Sequence, residues 1–242
     1  MRMARFILIH GAWQGAWSWR EIVPRLRVQG HDAIAIDLPG HGEDRSPLET
    51  VSFQDYVDST TRAVNASREN ALLVGHSMGG AVIARVAELD PGRVRALVYV
   101  SALLPRGGQS MMSFVEGFDP EYLAQLQWAP DRRTARISPE GATQFLFSCC
   151  PPEIAELAYA RFIPEPVAPF ETPIEITEAN SAQVPRYYVE CLRDRVVPIG
   201  LQRAMRADIP FDGVYSLDTD HSPFLSAANE LAAILNGIAE KV

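Results

Sequence analysis

Short apolar runs without polar alternation recur along the chain. Phe6-Ile7-Leu8-Ile9, Ala33-Ile34-Ala35-Ile36, Ala71-Leu72-Leu73-Val74 and Ala96-Leu97-Val98-Tyr99-Val100 are the clearest. Arg186-Tyr187-Tyr188-Val189-Glu190-Cys191 and Val214-Tyr215-Ser216-Leu217 are weaker members of the series. A continuous apolar run suits a strand buried on both faces, as in a parallel sheet. Helical spacing fills the intervals. Trp19, Ile22, Val23 and Leu26 form one stripe, Leu231, Ile234, Leu235 and Ile238 another, and Val82, Ile83 and Val86 begin a third. Each stripe makes one helix face apolar and able to cover a sheet. Pro24 interrupts the first stripe and weakens it locally. The alternation predicts an α/β fold, a mostly parallel sheet flanked by helices.

The pattern breaks near Pro105. Prolines 151, 152, 164, 166, 169 and 173 crowd the next stretch, and its aromatic and Met residues follow no strand period. Strand-like patterning resumes at Arg186. Residues 105–180 are therefore expected to form a helical cap inserted between two sheet strands. Residues 1–104 and 181–242 form the core of the same domain.

Composition narrows the class. With 242 residues the chain can bury a large core without disulfides or metal. A formal net charge of −8 argues against nucleic acid or an anionic membrane as the main partner. Cys149, Cys150 and Cys191 are odd in number and two are adjacent, so no disulfide framework is expected and a reducing, cytoplasmic setting fits. No Cys or His pair has zinc-ligand spacing. The opening MRMARFILIHG makes a poor signal peptide, and nothing approaches a membrane span.

Chemistry enters with Gly75-His76-Ser77-Met78-Gly79. A G-x-S-x-G string alone is weak. Here a buried-strand run precedes it and an amphipathic helix follows, the setting of a nucleophile elbow. Ser77 then stands at a strand's carboxyl end above a helix N-terminus, where developing negative charge is favoured. Serine needs a base. Among five histidines, His10 and His41 sit in glycine-rich turns, His31 in a turn expected at the surface, and the tight turn at Ser77 should point His76 elsewhere. His221 follows the last expected strand, where open α/β sheets place their sites. Asp194 follows the strand ending at Cys191 and is the candidate acid. Its neighbours Arg193 and Arg195 offer an ordinary ion pair as the bland alternative; Asp218 and Asp220 are rivals, but they flank His221 in sequence and would reach back to its Nδ1 awkwardly. The order Ser77, Asp194, His221 is the one expected of this hydrolase type. Backbone N–H groups of Met78 and of Ala12, in the turn after the first strand, are the expected oxyanion donors.

Five stretches in order, FILIHGAW, DLPGHGEDRS, LLVGHSMGGAV, DRVVP and DHSPF, resemble the α/β-hydrolase superfamily. IHGAWQGAWSW and FSCCPPEIAELAYARF are similar to the plant methylesterase and hydroxynitrile lyase group and its bacterial esterase relatives. The resemblance implies a Ser-His-Asp esterase with a helical cap and no cofactor or metal, carried by Ser77, His221, Asp194, Ala12 and Met78. The lyases of that group have a lysine after the catalytic histidine and a threonine after the first one. This chain has Ser222 and Gly11 there, which favours the esterase over cyanohydrin cleavage. A ligand receptor built on the same scaffold is the third possibility. The expected partner is a small ester. Trp13, Trp128 and Phe162 are candidate pocket walls, and the chain is expected to be a monomer or homodimer.

Overall fold

The computed structural model describes residues 3–177 and 179–242. Met1 and Arg2, which open the stretch read above as a poor signal peptide, lie outside the described residues, as does Glu178 in the expected cap. The strands are β1 Arg5–Ile9, β2 Asp32–Ile36, β3 Ala71–His76 and β4 Val94–Val100, then β5 Leu126–Trp128, β6 Thr134–Ile137 and β7 Glu165–Pro166, then β8 Arg186–Cys191 and β9 Gly213–Leu217. Among the described residues, six of them form one parallel sheet in the order β2-β1-β3-β4-β8-β9. Each apolar run noted above became one of these strands.

The runs lack polar alternation because the sheet is covered on both faces. Ile7, Ile9, Leu73 and Leu97 pack with helices α2 (Phe53–Asn65) and α3 (Gly79–Leu89) and with the segment between β4 and β8. Phe6, Leu8, Leu72 and Val98 face the other way, onto Leu26, Leu231 and Leu235. Pro24 lies in the first turn of α1 (Ile22–Val28), where the missing N–H has no intrahelical partner to lose. The stripes above do not announce α2. It is capped by Ser52, whose hydroxyl accepts from Asp55 N–H while the Asp55 carboxylate accepts from Ser52 N–H.

The insertion is not simply helical, which corrects the expectation. It contains the short helices Pro120–Leu123 and Pro152–Tyr159 and a π-helical turn over Ala142–Leu146. It also contains an antiparallel sheet, β5-β6-β7. These strands are two to four residues long, too short to print a period on the sequence. Their partners come from within the insertion, so pairing rather than pattern defines them. Residues of the insertion share a cavity with the turns that follow β1, β3 and β9, and the insertion is called the cap below.

Candidate active site

The parallel register brings the loops of interest together. Ile9 pairs with Gly75, so the turn after β1 adjoins the turn after β3. Cys191 pairs with Leu217, so the loops after β8 and β9 also adjoin. Ala12, Ser77, Asp194 and His221 all lie past carboxyl ends of strands, where α/β sheets bind ligands.

Ser77 sits on a bend that few residues tolerate. Its φ is +51°, in the left-handed region. Its N–H donates to Val100 O, and its carbonyl accepts from Gly80 and Leu103. The flanking glycines are needed for space: a Cβ on Gly75 would lie 2.5 Å from Gly79 O, and one on Gly79 would lie 2.8 Å from Ile9 O. Strand, sharp turn and helix therefore close up only around glycine, and Ser77 is lifted into a cavity of about 270 Å³.

His221 lines the same cavity. Its Nδ1 is 2.6 Å from Asp194 Oδ2. A carboxylate accepts, so Nδ1 carries the proton and Nε2 has a free lone pair. Among the described residues, Ser77 Oγ and His221 are not in hydrogen-bond geometry. In unliganded sites such bonds are often long and tighten on substrate.

Asp194 is buried and fully engaged. Oδ1 accepts from the N–H groups of Val196 and Val197 at 2.7 and 2.9 Å, and Oδ2 also accepts from the Ser101 hydroxyl. The arginine neighbours pair elsewhere: Arg193 with Asp218, Arg195 with Asp119 and Glu121. The surface ion-pair alternative therefore fails. So does Asp220, whose carboxylate accepts from Cys149 N–H at 2.6 Å, Ser222 N–H and the Ser226 hydroxyl. Burial raises that carboxyl above its usual range, and its place in the fold is to tie the cap to the histidine loop.

Met78 caps α3, so its N–H has no partner within the helix. In the β1 turn, Gly11 N–H donates to Gln14 Oε1 and Trp13 N–H to Glu165. Ala12 N–H lies between these two engaged groups.

A model of the alpha/beta hydrolase family matches residues 6–234. The chain belongs to this family. It is 30% identical to Methylesterase 7 of Arabidopsis thaliana, over 98% of this chain and 96% of that protein. The crystal structure of a pyrethroid hydrolase from Sphingobium faniae JZ-2 is similar at a TM-score of 0.87 and 29% identity, covering 99% of this chain and 98% of that one. Polyneuridine aldehyde esterase reaches a TM-score of 0.91 at 24% identity, over 98% of this chain and 100% of that one, a likeness of fold.

The pocket of this hydrolase is mostly apolar. Trp13, Met112, Phe118, Leu146 and Val197 are among its walls, and among the described residues no lysine or arginine lines it. Trp13 and Trp128 both line it. Phe162 does not, which corrects the expectation: it packs into an aromatic cluster with Trp13, Trp17, Phe147 and Tyr159 and lines a second, smaller cavity.

Several supporting residues escaped the sequence reading. Ser101, at φ +41°, holds Asp194. The His76 ring lies 4.6 Å from that of His221, and its Nε2–H donates to His221 O at 2.7 Å. Its Nδ1 is buried without a partner among the described residues. A Cβ on Gly11 would meet that nitrogen at 2.7 Å, so the threonine of the lyases does not fit here unless His76 moves. His31 is buried rather than superficial; its Nδ1 accepts from Ala4 N–H.

Burial holds two histidines of this hydrolase neutral. It pushes His10 down to about 3, helped by the nearby His41 charge, and carries His76 well below its ordinary value, helped by His221. A histidine depressed in the folded state binds fewer protons than in the unfolded chain between its two pKa values. It therefore contributes stability above about pH 6.5 that is lost as pH falls toward 3. Between pH 7.5 and pH 5.0, His10 alone accounts for about 2 kcal/mol. Urea unfolding at the two pH values is expected to give a lower midpoint at pH 5.0. His10→Asn should flatten that dependence, and an equal slope in both proteins would refute the assignment.

Proposed function

We propose that the chain hydrolyses small to medium, apolar carboxylic esters through an acyl-enzyme on Ser77. The observation that carries this reading is the convergence of Ser77 and His221 on one cavity, with Asp194 fixed behind the imidazole. His221 Nε2 takes the proton as Ser77 Oγ attacks the ester carbonyl. Ala12 and Met78 N–H groups receive the oxyanion. Collapse breaks the C–O bond, and the departing alkoxide takes the proton from His221. Water then attacks the acyl-enzyme by the same route, releasing the acid and restoring Ser77. Asp194 holds the Nδ1–H tautomer and stabilises the imidazolium.

Residues 105–180 act as the cap that shapes the pocket, with Trp13 and Trp128 as walls. The names of the relatives, a methylesterase and pyrethroid hydrolases, support ester cleavage. The apolar lining supports a neutral substrate. Ser222, which follows His221, is fully buried and outside the lining, so nothing there replaces the lysine of the lyases. Three free thiols support a reducing, cytoplasmic setting.

p-Nitrophenyl esters from acetate to octanoate test the reading. The cavity predicts that kcat/KM rises roughly fourfold per methylene while the acyl chain is being buried, about 0.8 kcal/mol each, and falls once it is filled. The expected optimum lies near butanoate to hexanoate. Absence of ester turnover together with cleavage of mandelonitrile would replace the esterase by the lyase.

A further inference from the structure

Every polar group of Trp13 is bonded to the cap. Its N–H donates to Glu165 Oε2 at 2.7 Å, its carbonyl accepts from Ile163 N–H at 3.2 Å, and its indole N–H donates to Ala135 O at 3.0 Å. Trp13 also has a φ of +62°, in the left-handed region that is strained for a bulky residue. That backbone does not hold itself. Its immediate predecessor is Ala12.

Glu165 is a carboxylate from β7 buried at the wall of the cavity. Besides Trp13 N–H, Oε2 accepts from His41 Nε2 at 2.8 Å, and Oε1 accepts from the Tyr56 hydroxyl at 3.4 Å. His41 lies in the Gly40-His41-Gly42 turn, and its Nδ1 donates to Pro39 O at 3.1 Å. Both ring nitrogens face acceptors, so the ring is an imidazolium. Burial alone would lower its pKa, but the Glu165 charge outweighs that and raises it. The neighbouring His10 ring, 4.9 Å away, stays neutral and accepts Leu38 N–H. An isolated buried carboxylate is costly; seating it on a buried imidazolium, with Trp13 N–H and the Tyr56 hydroxyl as further donors, offsets part of that cost. The ion pair joins the core to the cap directly beside the oxyanion turn.

We propose that Glu165 is a positioning residue: seated on His41, it clamps Trp13 N–H from the cap and so aims the adjoining Ala12 N–H at the oxyanion. This rests on the reading of Ala12 as an oxyanion donor. The turn that carries that donor is thus completed only when the cap is seated. Displacing a donor by about an ångström forfeits much of its effect on the transition state and little of ground-state binding. A residue that merely pinned the cap would instead shape substrate binding as well.

The test compares full-length wild type, Glu165→Ala and Glu165→Gln on p-nitrophenyl butyrate. Inhibition by an alkyl trifluoromethyl ketone, whose adduct with Ser77 carries an oxyanion, is set against the parent methyl ketone. For Glu165→Ala, kcat is expected to fall about 100-fold with KM within about threefold, as when an oxyanion donor is lost. Trifluoromethyl ketone affinity falls in step and methyl ketone affinity does not. Glu165→Gln keeps an acceptor for Trp13 N–H and recovers kcat to within about tenfold of wild type.

A folded Glu165→Ala with wild-type kcat overturns the proposal, and so does a loss shared equally by KM and methyl ketone binding. If the alanine variant does not fold, Glu165→Gln decides. A threefold to tenfold loss confined to kcat supports the proposal, and an unchanged kcat or a loss shared by KM overturns it. A wild type inert toward the ester and unlabelled at Ser77 by a fluorophosphonate removes the hydrolase reading itself. An active, labelled wild type indifferent to Glu165 removes this proposal alone.

Discussion

Ser77→Ala is expected to lower kcat toward esters by roughly 10⁵–10⁶-fold, as removal of a serine nucleophile does in a well-studied protease. The protein should remain folded. Alanine keeps the Cβ, and the backbone bonds from Ser77 N–H to Val100 and from Gly80 and Leu103 to its carbonyl persist. The left-handed φ of +51° is equally strained for either residue. The loss is therefore chemical rather than structural. Some rate above the uncatalysed reaction should remain, because the proposed oxyanion donors, the N–H groups of Ala12 and Met78, and the cavity are untouched. Fluorophosphonate labelling should vanish with the hydroxyl. A folded Ser77→Ala retaining kcat within tenfold of wild type would exclude Ser77 as the nucleophile.

Asp194→Asn is expected to cost about 10⁴ in kcat at neutral pH through the tautomer of His221. The N–H groups of Val196 and Val197 require an acceptor, and Asp194 Oδ1 now serves both. The asparagine carbonyl oxygen must stay there. Its amide nitrogen then faces His221 Nδ1, which has to accept, so the ring proton moves to Nε2. A ring protonated at Nε2 cannot take the Ser77 proton. KM should change little, because Asp194 does not line the cavity. Asp220→Asn is the control. Asp220 serves Cys149, Ser222 and Ser226 rather than the imidazole, so its loss should cost thermal stability and less than about tenfold in kcat. Equal losses in the two variants would mean that Asp194 has no special hold on His221.

The candidate site was legible where it depends on local geometry. Ser77 is announced by its neighbours, because glycines at 75 and 79 are the residues a strand-turn-helix corner can close on. Asp194 and His221 are announced by position, each in a loop after a strand run and in the expected order. Sequence disfavoured the flanking aspartates only through the awkwardness of reaching back to the imidazole, without saying what they do instead. Asp220 lies beside His221 in the chain, yet it turns to the cap. The cap strands were illegible because a three-residue strand such as β5 has no measurable period and its partner is set by contact. Phe162 looked like a pocket wall and proved to be core to an aromatic cluster, since composition does not say which way a ring faces.

By itself the sequence determined the layered architecture and the turn that would carry the proposed chemistry of Ser77. Both follow from short-range rules: a buried parallel strand must be apolar throughout, and a strained turn must be lined with glycine. The tertiary structure decided what surrounds that chemistry. Glu165 and His41 are 124 residues apart. Nothing local to either says that a glutamate from the cap will meet a histidine from the core and hold Trp13 between them. Such pairs are chosen by burial, because a charge removed from water must find its counterpart wherever the packed chain brings one.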